Sequence, residues 1–223
     1  MSTAEALVAN DQTVAVGDRT LTLPVRCGYA EYLRLLAESP IKLEYVAGRV
    51  VAMAGGTVRS VDISTNLGGE LRQALKDTDC KVTAENLRVA IDDSDFFPDV
   101  VVTCGPREFA DRDANAVTNP TLLIEVLSPA TERYDRTTKY DAYTALPSLR
   151  EYVLVSQGEY RVERFVRDGD RWSLLVTIGR EASVEFASVA ASVPMAEIYR
   201  NVPMPDPDVA PDVNPEERIG ASS

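Results

Sequence analysis

The chain has 223 residues, 45% apolar and 26% charged, proportions that fit one globular domain with a sizeable core. Its formal net charge of −12 weighs against a protein that coats nucleic acid through bulk electrostatics, while leaving room for a local basic groove. It contains no histidine. Imidazole-based triads, His-ligated zinc and histidine general bases are therefore excluded, and acid–base or metal chemistry must rest on carboxylates, Lys, Tyr or water.

No apolar run approaches the ~20 residues that span a bilayer. The N-terminus lacks a basic segment followed by an apolar one, so a cytoplasmic location is expected. Cys27, Cys80 and Cys104 are far apart and odd in number, which argues against a disulfide framework or a thiolate zinc site and suggests small buried hydrophobes.

In chain order, residues 1–27 read as a loose lead-in. Tyr32, Leu35 and Leu36 lie at helical spacing, predicting a short amphipathic helix over residues 29–38. Lys42–Met53 reads as a hairpin about Ala47-Gly48. After Gly55-Gly56, Thr57 is a possible cap for a long helix over residues 58–77, with Leu67, Leu71 and Leu75 at four-residue steps. Two strands follow, Cys80–Glu85 and Leu87–Asp92, then a turn, then a strand over Phe96–Cys104 that opens with Pro98. Residues 105–119 read as a polar loop.

Thr121–Leu127 is an apolar run interrupted only by Glu125, as in a strand covered on both faces. Ser128-Pro129 should begin a helix that runs to about Leu146. Then come a strand over Arg150–Ser156, a hairpin about Asp168-Gly169, a short strand (Val184–Phe186) and a short helix (Met195–Tyr199). Residues 201–223 hold Asp206, Asp208, Asp212, Glu216 and Glu217 against Arg218 alone, and read as a disordered acidic tail. The expected architecture is α/β or α+β with one central mixed sheet.

Glu125 is costly to bury unless it is paired, hydrogen-bonded to a helix N-terminus or bound to metal. Asp99 opens the preceding strand, so the two carboxylates could meet on neighbouring strands and share one hard cation such as Mg²⁺ or Mn²⁺. Asp135, Lys139 and Tyr143 follow at four-residue steps on one helical face. That pattern serves either a surface ion pair or an ammonium turned back toward the strand end. Glu44, in the first hairpin, is either an accessory acid or an ordinary strand residue.

Glu44 with Gly48-Arg49-Val50, Met53–Thr57 (MAGGT), Pro98–Val102 (PDVVV), Leu123–Thr131 (LIEVLSPAT), Asp135–Tyr143 (DRTTKYDAY) and Leu149–Val155 together resemble the Uma-type family of restriction endonucleases, a branch of the PD-(D/E)XK nuclease superfamily. The resemblance covers roughly residues 28–200. It implies a restriction-endonuclease-like mixed sheet flanked by helices and hydrolysis of DNA with Mg²⁺ or Mn²⁺. The matching site would comprise Asp99, Glu125 and Lys139, with Glu44 as accessory acid, the Val126 carbonyl as a further metal ligand, and Asp135 and Tyr143 in support. Where the parent superfamily has a lysine two residues after the glutamate, this chain has Leu127, and Lys139 takes its place. Family members often carry a histidine near the start of the long helix; here Ser60 stands there. Phosphate contacts would fall to Arg133, Arg136, Arg107 or Arg88. A homodimer is implied, and no haem or nucleotide cofactor is expected. A silent nuclease-fold protein that binds a partner is the alternative, favoured by the acidic charge and by Ser60.

Overall fold

The computed structural model describes residues 12–17, 19–53 and 55–204. Strands β1 (Gln12–Val16) and β2 (Arg19–Leu23) form an antiparallel hairpin, followed by β3 (Val25–Arg26). The lead-in expected to be loose is thus strand over these residues. Its Val14, Val16 and Leu23 bury against Tyr32 and Leu35 of helix α1 (Tyr29–Glu38) and against Leu43, Tyr45 and Val50. Those last three belong to the expected hairpin, β4 (Leu43–Val46) and β5 (Arg49–Ala52). Ala47 and Gly48 both have positive φ (48° and 80°), the primed turn that matches strand twist.

Helix α2 (Val58–Ala74) starts where Thr57 caps it, its side chain accepting the Ser60 N–H. The helix buries Ile63, Leu67 and Leu71.

Next come β6 (Cys80–Ala84), β7 (Arg88–Ile91), β8 (Ser94–Phe96) and β9 (Val100–Cys104). The single strand expected over residues 96–104 divides at Pro98: β8 pairs with β7 and β4, whereas β9 pairs with β6. A proline lacks a ladder donor and restricts the residue before it, so the chain leaves one sheet and enters another. The expected polar loop contains β10 (Phe109–Ala110) and β11 (Asp113–Val117). β11 buries Ala116 and Val117 and runs parallel to β7.

Strand β12 (Leu122–Val126) is buried at all five positions. The helix after it begins later than expected, because Ser128 and Thr131 form a closed turn in which the Thr131 N–H donates to Ser128 Oγ at 3.2 Å. It comprises α3 (Glu132–Tyr134), a π-helical turn (Asp135–Lys139) and α4 (Tyr140–Ala145). β13 (Glu151–Val155), β14 (Arg161–Asp168), β15 (Arg171–Ile178), β16 (Ser183–Phe186), β17 (Ala191–Pro194) and α5 (Met195–Ile198) complete the chain.

Two large sheets stand where one was expected. The six-stranded sheet has the order β15-β14-β13-β12-β9-β6, and the seven-stranded sheet β10-β11-β7-β8-β4-β5-β3. The six-stranded sheet is mixed: β12 is parallel to β13 and antiparallel to β9. One of its faces packs on α2, α5 and the β16–β17 hairpin, and the other on β7, β8 and α4. The fold is therefore the mixed α+β arrangement of sheets and flanking helices.

The cysteine reading is corrected. Cys80 and Cys104 are register partners on β6 and β9 and form a disulfide, leaving Cys27 free. Only strand pairing brings residues 24 apart together, which spacing could not reveal. Among the described residues no helix is long and apolar enough to cross a membrane. The acidic tail from Pro205 onward lies outside the described residues.

Candidate active site

Side chains alternate across a strand. On β12, Leu122, Ile124 and Val126 face the α2 side, while Leu123, and Leu127 just past the strand's end, face the α4 side. Glu125 therefore points toward α4, into a region closed by Tyr143 and Tyr152. Its Oε1 accepts from Tyr143 Oη at 2.8 Å and from Lys139 Nζ at 2.9 Å. Lys139 comes from the π-helical turn, a local widening that often accompanies function. The same turn sets Asp135 Oδ1 3.2 Å from the ammonium. Glu125, Asp135 and Lys139 are each no more than 3% exposed. The surface reading of the Asp135–Lys139 pair is thereby excluded.

Asp99 enters from the crossing between the sheets. Its Oδ2 accepts the Val126 N–H at 2.7 Å, and its carbonyl accepts the Glu85 N–H at 2.8 Å. It is thus fixed to the residue that follows Glu125. Asp99, Glu125, Val126, Asp135 and Lys139 line one cleft of about 340 Å³.

Glu44 does not line this cleft. Its Oε1 accepts the Phe97 N–H at 2.9 Å and lies 3.6 Å from Lys139 Nζ, and its Oε2 accepts from Tyr134 Oη at 3.0 Å. It stands behind the lysine and braces the chain just before Asp99.

Three carboxyl groups, Glu44, Glu125 and Asp135, thus surround one ammonium, and Asp99 lines the same cleft as Glu125, Asp135 and Lys139. Burial first, then Asp135 and Asp99, push the Glu125 carboxyl well above the usual carboxylate range, with Lys139 opposing. Burial also raises Asp99, against the pull of the Val126 N–H and Lys139. For Lys139 burial disfavours the charge, but Glu125, Glu44 and Asp135 outweigh it and hold the pKa well above the ordinary lysine value. The lysine is thereby held as a cation by the carboxyl groups around it.

The donor set suits a hard cation: Asp99, Glu125 and Val126 line one cleft wall, and beside them Asp135 Oδ1 is ion-paired with Lys139 at 3.2 Å. Among the described residues, however, no three acidic or cysteine side chains converge as a metal-binding group on their own. The fit is two carboxylates with backbone and water completing the shell, as Mg²⁺ usually takes.

The arginines expected to contact phosphate do not gather at this cleft. Arg136 forms ion pairs with Glu132 and Glu163, Arg107 donates to Thr103 and Thr83, Arg88 pairs with Asp113, and Arg133 is exposed. Lys42 and Glu85 line the cleft instead, 3.7 Å apart, together with Ser60. Glu85 follows the end of β6, and its N–H donates to the Asp99 carbonyl just ahead of β9. Tyr134 was overlooked because its partner, Glu44, is 90 residues away.

The architecture is that of a nuclease-like fold. It is similar to the crystal structure of a "putative nuclease belonging to DUF820" from Anabaena variabilis, with a TM-score of 0.62 at 19% identity, over 79% of this chain and 98% of that one. By sequence the chain belongs to the Uma2 family, described as "Putative restriction endonuclease", which it matches over residues 29–196. Two uncharacterized proteins of Synechocystis sp. are similar to it. One is 34% identical over 161 residues, which is 71% of this chain and 91% of the relative. The other is 32% identical over 174 residues, 77% and 90% of the two chains.

Proposed function

We propose that the protein is a Mg²⁺- or Mn²⁺-dependent endonuclease that hydrolyses phosphodiester bonds in DNA. The observation that carries this reading is the meeting of Asp99, Glu125 and Lys139 in one cleft, with Asp99 bonded to the residue after Glu125. Asp99, Glu125 and the Val126 carbonyl would hold the cation. When bound, it supplies Lewis acidity toward the scissile phosphate and toward a coordinated water.

The remaining work falls to the chain's own groups. Lys139, kept charged and fixed by Glu125 and Asp135, orients the attacking water and offsets the charge that grows on the phosphate oxygens. Tyr143 holds Glu125 in place through its hydroxyl. Glu44 positions both Lys139 and the Phe97–Asp99 backbone. Hydrolysis joins the water oxygen to phosphorus and releases the leaving oxygen with a proton. Pairing of two copies is part of this reading.

Incubation of DNA with Mg²⁺ or Mn²⁺ tests it. Wild type should cleave, and Asp99→Ala and Lys139→Met should each lose at least about 100-fold, as removal of one electrostatic catalytic group does. Equal cleavage by wild type and Asp99→Ala, or absence of cation binding in calorimetry, would sink it in favour of a silent nuclease-fold binding protein.

A further inference from the structure

A larger depression, of about 730 Å³, adjoins the cleft. The two share Ser128, and both are walled by the first turn of α2, where Thr57, Val58 and Arg59 face the depression and Ser60 and Val61 face the cleft. Its floor is the C-terminal end of the parallel pair β12 and β13, with Leu127, Ser156 and Gln157.

Of the three arginines on its wall, Arg136 and Arg161 already share Glu163. Arg59 differs. Among the described residues it has no carboxylate partner. Its Nη1 donates to the Gln157 carbonyl at 3.3 Å, and its Nε is buried with no acceptor. Gln157 is itself fixed: it donates to the Leu127 carbonyl at 2.6 Å and accepts from Thr57 Oγ1 at 2.5 Å. The guanidinium is therefore anchored at one corner, with one donor unmet. A buried unmet donor calls for an acceptor, and a planar guanidinium is shaped for phosphate oxygens.

We infer that this depression is a second phosphate subsite, in which Arg59 binds the backbone phosphate flanking the scissile one, so that the substrate is an extended polynucleotide strand lying across both hollows. The inference rests on the endonuclease reading and deepens it. In a chain of charge −12, bulk attraction for DNA is absent, and the few unpaired local cations must supply the hold.

The test uses the full chain and two probes. Fluorescein-labelled single-stranded DNA, bound in Ca²⁺ and followed by anisotropy, reads the long contact. Bis(p-nitrophenyl) phosphate, turned over in Mn²⁺, reads the cleft alone. Arg59→Ala should weaken DNA binding about tenfold and lower the salt slope by about one. It should also reduce the ratio of kcat/KM for DNA to that for the small diester by a similar factor. Arg59→Lys should fall between, and Arg180→Ala, on the exposed Arg180–Glu181 pair, should keep the wild-type ratio. Matching thermal unfolding of Arg59→Ala and wild type shows that the fold is intact. Unchanged DNA affinity and salt slope in Arg59→Ala, or equal loss on both substrates, would overturn the subsite. A wild type that cleaves neither probe but binds DNA in an Arg59-dependent way would refute the nuclease reading and leave the subsite standing.

Discussion

Asp99 is held in the cleft by the Val126 N–H. Burial raises its pKa, and burial with neighbouring carboxylates raises that of Glu125. A carboxylate whose folded pKa exceeds its unfolded one gives the folded chain extra bound protons between the two values. Its contribution to stability is full below the unfolded pKa, near 4, and is lost as pH rises through the folded pKa. Asparagine at position 99 removes the titration and keeps an oxygen for the Val126 N–H. Asp99→Asn should therefore melt higher than wild type at pH 8, with the two converging near pH 4. Thermal unfolding across pH checks it; a less stable variant with an unaltered pH slope would contradict the account. At this scale the sequence was informative wherever a residue broke its local pattern. Glu125 stands out in an apolar strand, and Lys139 and Tyr143 keep its company at helical spacing. Lys42, Glu85 and Arg59 resemble any solvated charge, and only the pairing of β4 with β5, the register of β6 on β9 and the cap of α2 turn them toward the hollows.

Elements were legible where their signals are local. The Ala47-Gly48 and Gly169 turns, the Thr57 cap and the buried face of α2 follow from short-range chemistry. The division of the sheets was not, because FFPDVVV reads as one β run and nothing within it says that Phe96 pairs with Val89 while Val100 pairs with Ile124. What holds this crossing is Glu44, reaching from β4 to the Phe97 N–H. Glu44→Ala leaves that buried donor and the Tyr134 hydroxyl without acceptors and takes a carboxylate from beside Lys139. Losses of this kind run to about 1–3 kcal/mol per group. Urea unfolding should show at least ~2 kcal/mol for Glu44→Ala and markedly less for Glu44→Gln, whose amide oxygen can still accept from Phe97. Equal losses in the two variants would mean that charge, rather than the hydrogen bond at the crossing, is what Glu44 contributes.

At the scale of the whole molecule, one sheet edge is long and apolar. β15 is the outer strand of the six-stranded sheet, and among the described residues nothing pairs with its far side. Along it Leu174, Leu175, Val176 and Ile178 are 51%, 46%, 42% and 61% exposed, and residues 172–178 carry no charge at all in a chain of net −12. Long apolar edges of this sort are normally blunted by lysine, proline or a bulge, and an unblunted one invites strand pairing. A second copy fits it: antiparallel pairing about a two-fold axis between Leu174 and Leu175 sets Leu174 of each copy opposite Leu175 of its partner and Trp172 opposite Thr177. Such pairing would set no two like charges opposite one another over residues 171–178 and would continue the sheet from one copy into the next. Light scattering coupled to gel filtration should find a wild-type dimer. Leu175→Lys, which puts an ammonium opposite Leu174 on both sides of the axis, should shift it to monomer with little change in thermal stability, since position 175 is half-exposed within one chain. A wild type that stays monomeric as its concentration is raised, or a Leu175→Lys protein that remains dimeric, would place the contact elsewhere or remove it.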